Sequence, residues 1–154
     1  MFKKQLLLFL FIILPFLAFS QTAAEMETML GSGTVSAAKA ARFVLDAAEL
    51  LPQGLSGTDA ENAAYDMAKS KGWVKAASGD PLTLKDSALL IMKAFDMKGG
   101  LMYSIFGNPR YAYREMVYRK IIFGRTEGSM KVSGPRFLQI LSSAMNYTGK
   151  DGRI

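Results

Sequence analysis

The side chains best suited to recognition are arginines and tyrosines spaced four residues apart after Asn108. Arg110, Arg114 and Tyr118 recur at intervals of four, so a helix would present all three on one strip. Guanidinium groups pair with carboxylates and phosphates through two hydrogen bonds, and tyrosine rings offer flat faces to sugars and cations. The sequence therefore predicts a site for an anionic envelope polymer. The residues proposed to form it are Arg110, Arg114, Tyr118, Arg119, Lys120 and Arg125.

Both recognition candidates also have a simpler interpretation. The strip can be a solvated helix face on which Glu115 and Arg119 form an ion pair one turn apart. Trp73, the only tryptophan, can form the floor of a sugar site or pack at the end of a helix. The sequence leaves these alternatives open.

The missing residue types exclude most catalytic chemistry. The chain has no histidine and no cysteine, which excludes zinc sites, cysteine nucleophiles and Ser-His-Asp triads. Its glycines match neither a P-loop nor a dinucleotide fingerprint. A wall hydrolase that uses two carboxylates is the enzymatic hypothesis left. We expect a protein without catalytic residues, metal or cofactor.

The first 20 residues have the three parts of an export signal. Lys3 and Lys4 form a positive start, residues 6–19 form an apolar run, and Ala18-Phe19-Ser20 is a small-residue cleavage site. The run is shorter than the roughly 20 residues of a membrane span. We expect a signal peptide over 1–20, cleavage after Ser20, and export to the periplasm or cell surface. The mature chain should then keep no stable transmembrane segment.

Charge is divided unevenly along the chain. Residues 21–97 hold seven Lys/Arg and ten Asp/Glu, a net charge of −3, whereas residues 98–154 hold ten and three, a net charge of +7. Such asymmetry indicates an acidic partner. In an exported protein this favours an anionic wall polymer, a lipid headgroup or an acidic envelope protein over nucleic acid. A solvated basic face is the alternative.

A degenerate repeat organises the chain after residue 33. Three segments align without gaps, and each begins with an apolar residue followed by a Ser or Thr that can cap a helix. Apolar residues then recur at helical spacing in each. The aligned segments are Val35-Ser36 to Leu51, Leu82-Thr83 to Lys98, and Val132-Ser133 to Thr148.

Further helical patterns at 58–71 and 108–123 precede the later two segments, which gives five principal helices and an all-α fold. We expect one helical repeat domain over 34–150, with units of about 34–52, 58–99 and 108–149, after a flexible lead-in over 21–33. Leu101 to Phe106 is expected to be a buried helical turn between repeats, and Gly99 to close the second copy.

The stretch from Ala60 to Phe95 resembles the S-layer homology module. Gly72-Trp73-Val74 looks like the family's helix-ending turn, and Asp80-Pro81-Leu82-Thr83 looks like its pre-helix segment. Thr83-Leu84-Lys85-Asp86 corresponds to the family's Thr-Arg-Ala-Glu motif, with Leu84 in place of the arginine that contacts the wall polymer. The resemblance implies degenerate repeats that attach non-covalently to anionic wall or surface components. The rival hypothesis is a periplasmic adaptor or assembly subunit whose helices dock another protein.

Overall fold

The computed structural model describes residues 23–124 and 127–150. Within those ranges the chain forms seven helices and no strand, which confirms the all-α class. The expected number of five helices is wrong, because two short helices had not been counted. The helices are α1 (23–30), α2 (Ala37–Ala47), α3 (Gly57–Ser70), α4 (Leu84–Ala94), α5 (Leu101–Phe106), α6 (Pro109–Tyr118) and α7 (Gly134–Lys150).

The export signal expected over 1–20 and its cleavage site lie outside the described residues. Among the helices that are described, none combines the length and the apolar composition needed to cross a bilayer.

The three aligned segments meet where they begin, in a ring of backbone hydrogen bonds that we call the central ring. The N–H of Val35 donates to the carbonyl of Val132 at 3.0 Å, that of Val132 to Leu82 at 3.0 Å, and that of Leu82 to Val35 at 2.9 Å. All three residues are at most 1 % exposed. Since α2, α4 and α7 each start within two residues of this ring, the sequence repeat corresponds to an approximate threefold arrangement.

Two edges of the central ring are extended by matching hydrogen bonds, and the third edge differs. On the matching edges, the first two helical residues donate to carbonyls of the neighbouring repeat: Ala37 to Asp80, Ala38 to Ser78, Leu84 to Met130 and Lys85 to Gly128. On the third edge Gly134 donates to Ser32 at 2.9 Å. The next residue is Pro135, which has no N–H to donate. The third edge is therefore closed by the chain just before the first repeat.

Side-chain caps tie the ring to the helices. Ser36 accepts from the N–H of Lys39 at 3.4 Å and Thr83 from the N–H of Asp86 at 3.4 Å, which confirms two of the three expected caps. Thr83 also donates its hydroxyl to the Asp86 carboxylate at 2.5 Å. These bonds satisfy N–H groups that a helix start cannot pair internally.

Two residues beyond their last residue, helices α2, α4 and α6 are each followed by a non-glycine residue in the left-handed conformation. Glu49, Asp96 and Lys120 have φ values of 56°, 46° and 57°. After each of them, the next N–H returns to the carbonyl five residues back, and Met97 and Ile121 are buried there. The expectation that Gly99 closes the second copy is wrong, because α4 has already ended and Asp96 makes the turn.

The part of the expected lead-in that is described, residues 23–33, contains α1 and packs on the domain. Met29 is fully buried, and Ser32 donates its hydroxyl to the Met29 carbonyl at 2.7 Å. The start of α7 lies against this turn: a β-carbon at Gly134 would collide with the Met29 carbonyl oxygen and the Ser32 hydroxyl. Glycine is required at this position by the close approach of two backbones.

Replacing Gly134 by Ala should therefore lower the free energy of unfolding, by about 1–3 kcal/mol for overpacking of this kind. Urea denaturation of the chain from Gln21 onward measures the change. Gly149 is the matched control, because it lies in the same helix and a β-carbon there meets nothing within 4 Å. Gly149→Ala should leave stability unchanged or raise it. Equal stability of the two variants would contradict the tight packing of α1 on α7.

Candidate functional site

Helix α6 presents the expected strip to solvent. Asn108 caps the helix by accepting from the N–H of Tyr111 at 3.1 Å. Its buried face contains Ala112 and Met116, and α6 packs on α4. On the opposite side Arg110, Arg114 and Tyr118 are exposed, as the spacing of four residues predicts.

Helix α5 is the main departure from expectation, because its apolar residues face outward. Tyr103, 7 % exposed, is the buried residue of this helix. Its ring covers Gly99, where a β-carbon would collide with it. The expected buried turn is thus an exposed apolar helix. The outward residues are Leu101 at 75 %, Met102 at 50 %, Ile105 at 63 % and Phe106 at 56 % exposure.

The exposed sides of α5 and α6 form one continuous surface. A shallow cavity of about 280 Å³ lies between them, lined by Leu101 and Met102 on one side and Arg114 and Tyr118 on the other. The rings of Phe106 and Tyr111 stack with centroids 5.3 Å apart. We call this surface the α5–α6 face. Its residues are Leu101, Met102, Ile105, Phe106, Arg110, Arg114 and Tyr118.

Arg119, one of the expected site residues, is engaged within the fold. Its Nε donates to the Glu115 carboxylate at 2.7 Å, and the two side chains are 16 % and 15 % exposed. The guanidinium also donates to the carbonyl of Lys98 and lies 5.1 Å from the ring centroid of Tyr147. Glu115 in turn accepts from the N–H of Gly100 at 3.0 Å. This ion pair, the alternative that the sequence left open, holds the segment 98–100 that leads into α5.

The other expected site residues lie away from the strip or outside the described ranges. Lys120 is exposed in the turn that ends α6, and Arg125 falls outside the described residues. Trp73 is half-buried after α3, packs against the core and has the Nζ of Lys71 5.3 Å from its ring centroid. Because α3 packs on α2 whereas α6 packs on α4, Trp73 does not join the α5–α6 face.

Sequence reasoning missed two cations that border α5. Lys98 is exposed just before the helix, and the Nζ of Lys93 lies 5.6 Å from the ring centroid of Tyr103. The outward orientation of α5 also had a sequence signal, because two glycines precede Leu101–Phe106 and one follows it. A helix of six residues isolated in this way has little surface to bury, so most of its side chains must stay outside.

Tyr103, the anchor of α5, has an altered acidity. Burial, with the negative charge of Asp96 as a second cause, raises the pKa of Tyr103 to about 12. The hydroxyl thus keeps its proton over the whole neutral range. The anchor under α5 is an uncharged ring.

A second, larger cavity of about 380 Å³ lies among α1, α2 and α7. Its apolar lining surrounds Arg42, which pairs with Asp46 at 3.0 Å and lies 3.9 Å from Glu25. The Nε of Arg42 is buried without a hydrogen-bond partner. Across the described ranges, no group of three or more acidic side chains is placed to hold a metal ion. Both acidic side chains that line this cavity lie within ion-pair distance of Arg42.

No family model, curated protein or solved structure matches this chain. The resemblance to S-layer homology modules accordingly stays a prediction.

The Glu115–Arg119 pair gives a stability prediction. Glu115→Gln should lower the free energy of unfolding by about 1–2 kcal/mol, because a partly buried, charge-assisted hydrogen-bond pair is weakened. Glu27→Gln, an exposed acid on α1, is the control and should change little. In the double variant Glu115→Gln, Arg119→Gln, the loss of unfolding free energy should be smaller than the sum of the two single losses by at least about 0.5 kcal/mol. Strict additivity in urea denaturation would contradict the pair.

Tyr103 gives a pH prediction. In the unfolded chain tyrosine titrates near 10, whereas in the folded protein the pKa of Tyr103 is about 12. Above pH about 10 the unfolded state loses this proton first, so stability present below that pH should decline as pH rises toward 12. Tyr103→Phe removes this contribution and should flatten the decline, as measured by urea denaturation at pH values of about 9 and 11.5.

The matched control is Tyr118→Phe, because Tyr118 is 84 % exposed. It should leave the decline as steep as in the parent chain. If the two variants show the same pH dependence, Tyr103 does not titrate separately from the other tyrosines.

Proposed function

We propose that this protein is a non-catalytic, exported protein of the cell envelope that attaches to anionic surface components through α6. The supporting observation is the exposure of Arg110 and Arg114 one helical turn apart, with neither in an ion pair within the described part of the chain. The acid on the same helix, Glu115, forms an ion pair with Arg119. Two uncompensated guanidinium groups can each bind a phosphate or carboxylate bidentately.

The location belongs to the same proposal. The N-terminal pattern over 1–20 favours export, and the net charge of +7 over residues 98–154 matches an anionic surface. The position that resembles the wall-binding arginine of S-layer homology modules is Leu84, which is 3 % exposed. Polymer contact at that position is not available to this chain. We therefore assign attachment to α6.

A wall hydrolase is less well supported than a binding protein. Glycoside hydrolysis needs one carboxyl group to donate a proton while a second acts as nucleophile or base. Glu25 and Asp46 line the same cavity, but both are oriented toward the guanidinium of Arg42. This arrangement favours a structural cluster of charges. The adaptor hypothesis is favoured by one feature, the exposed apolar side of α5.

The test is binding of the chain from Gln21 onward to two soluble probes, long-chain polyphosphate and polyglutamate. Arg110→Gln combined with Arg114→Gln should weaken binding at least about tenfold, because charge-assisted contacts are lost. Affinity of the parent chain should fall steadily as salt rises from about 50 mM. Fluorescence anisotropy of labelled probes measures both effects.

The matched control is Lys75→Gln combined with Lys131→Gln, which removes the same charge from exposed positions outside α6. If this control loses as much affinity as the arginine variant, net charge rather than α6 carries binding. If the parent chain binds neither polyphosphate nor polyglutamate, the proposed function is refuted.

A further inference from the structure

We infer that the surface recognised by the α5–α6 face is an anionic lipid bilayer, with α5 entering the boundary between headgroups and acyl chains. This inference rests on the proposed function and names the kind of surface. In this arrangement Arg110 and Arg114 contact lipid phosphates while the outward side chains of α5 leave water.

The apolar part of the face is what selects a bilayer. Leu101 and Ile105 lie one turn apart on α5, as do Met102 and Phe106, so the four side chains form two adjacent ridges. Each is at least half exposed. A hydrophilic wall polymer offers no apolar environment to such ridges, whereas a bilayer interface does. Exposed apolar clusters of this kind mark an interaction surface.

The charges around α5 match the same partner. Lys98 precedes the helix, and Arg110 and Arg114 follow it on α6, all exposed. Basic residues beside an apolar element are attracted to the negative surface potential of anionic lipid. The nearby acids are Glu115, which is paired with Arg119, and Asp96, which is exposed in the turn after α4. Cations therefore predominate around the apolar ridges.

An exposed tyrosine and the fixed position of α5 on the domain also suit binding to a bilayer. Tyr118 is 84 % exposed, and tyrosine is enriched where headgroups meet acyl chains because its ring is apolar and its hydroxyl polar. The buried ring of Tyr103 and the Glu115–Arg119 pair fix α5 on the domain. The ridges are thus already displayed before binding, which lowers the entropy lost on association.

A second copy of the chain fits this face less well. In a symmetric dimer the same patch of both copies meets, so two positively charged patches would be brought together. Like charges brought together in an interface oppose association. An anionic bilayer supplies the opposite charge together with an apolar layer.

The experiment is co-sedimentation of the chain from Gln21 with vesicles of phosphatidylglycerol and phosphatidylcholine, and with vesicles of phosphatidylcholine alone. Binding should require phosphatidylglycerol. Leu101→Ser combined with Ile105→Ser should weaken it more than about tenfold, because two apolar side chains no longer leave water. Arg110→Gln combined with Arg114→Gln should weaken it about 30-fold, or roughly fivefold for each cation near the surface.

The matched apolar control is Leu30→Ser combined with Met130→Ser, since both residues are 52 % exposed and lie outside the face. This variant should bind vesicles like the parent chain. A tryptophan at position 105, introduced as Ile105→Trp in a Trp73→Phe background, should shift its fluorescence to the blue with anionic vesicles. An unshifted spectrum under conditions of full binding would overturn insertion of α5.

Soluble polyphosphate separates this inference from the proposed function. The Leu101→Ser, Ile105→Ser variant should bind polyphosphate normally, whereas the arginine variant should lose both probes. If the serine variant keeps full vesicle binding, or if the parent chain binds polyphosphate but not vesicles, the inference falls and the proposed function stands. If the parent chain binds neither soluble polyphosphate nor vesicles, the inference and the proposed function both fall. Dimer formation abolished by the serine variant, without vesicle binding, would assign the face to a second copy.

Discussion

The central ring of three backbone hydrogen bonds is the interaction on which the rest of the fold depends. Val35, Leu82 and Val132 are buried, and a buried backbone N–H or carbonyl without a partner is costly. Each of the three donates to one neighbour and accepts from the other. No repeat can satisfy these groups alone, so the helices that follow are positioned together. The caps at Ser36 and Thr83 then fix where α2 and α4 begin.

The candidate site lies at the opposite end of α4 from the ring. An α-helix rises 1.5 Å per residue, so the 11 residues of α4 separate the two ends by roughly 16 Å. The chain there turns at Asp96, passes through the segment held by Glu115 and Arg119, and enters α5. One end of the molecule is thus occupied by the bonds that define the fold. The other end is free to present side chains to a partner.

Features that depend on neighbours in sequence could be predicted, and those that depend on distant segments could not. A cap at Thr83 requires a residue three positions away, and the strip of Arg110, Arg114 and Tyr118 follows from helical spacing alone. The apolar run of α5 does not by itself predict exposure, because it looks the same whether or not a neighbouring surface covers it; the signal lies in the glycines that isolate the helix on both sides. The tight approach of Met29 to Gly134 joins residues more than 100 positions apart. Asp96 adopts a conformation that its residue type rarely signals.

A closed ring also limits how such a protein can change. Open solenoids lengthen by adding units to an end, but three repeats that already bond to one another leave no position for a fourth. The repeats are not interchangeable either, because Pro135 lacks the N–H that Ala38 and Lys85 supply on the other two edges. New surfaces must therefore arise in the connections between helices. Only residues 48–56 join α2 to α3, whereas residues 95–108 join α4 to α6 and include α5, an inserted helix with its apolar side turned outward.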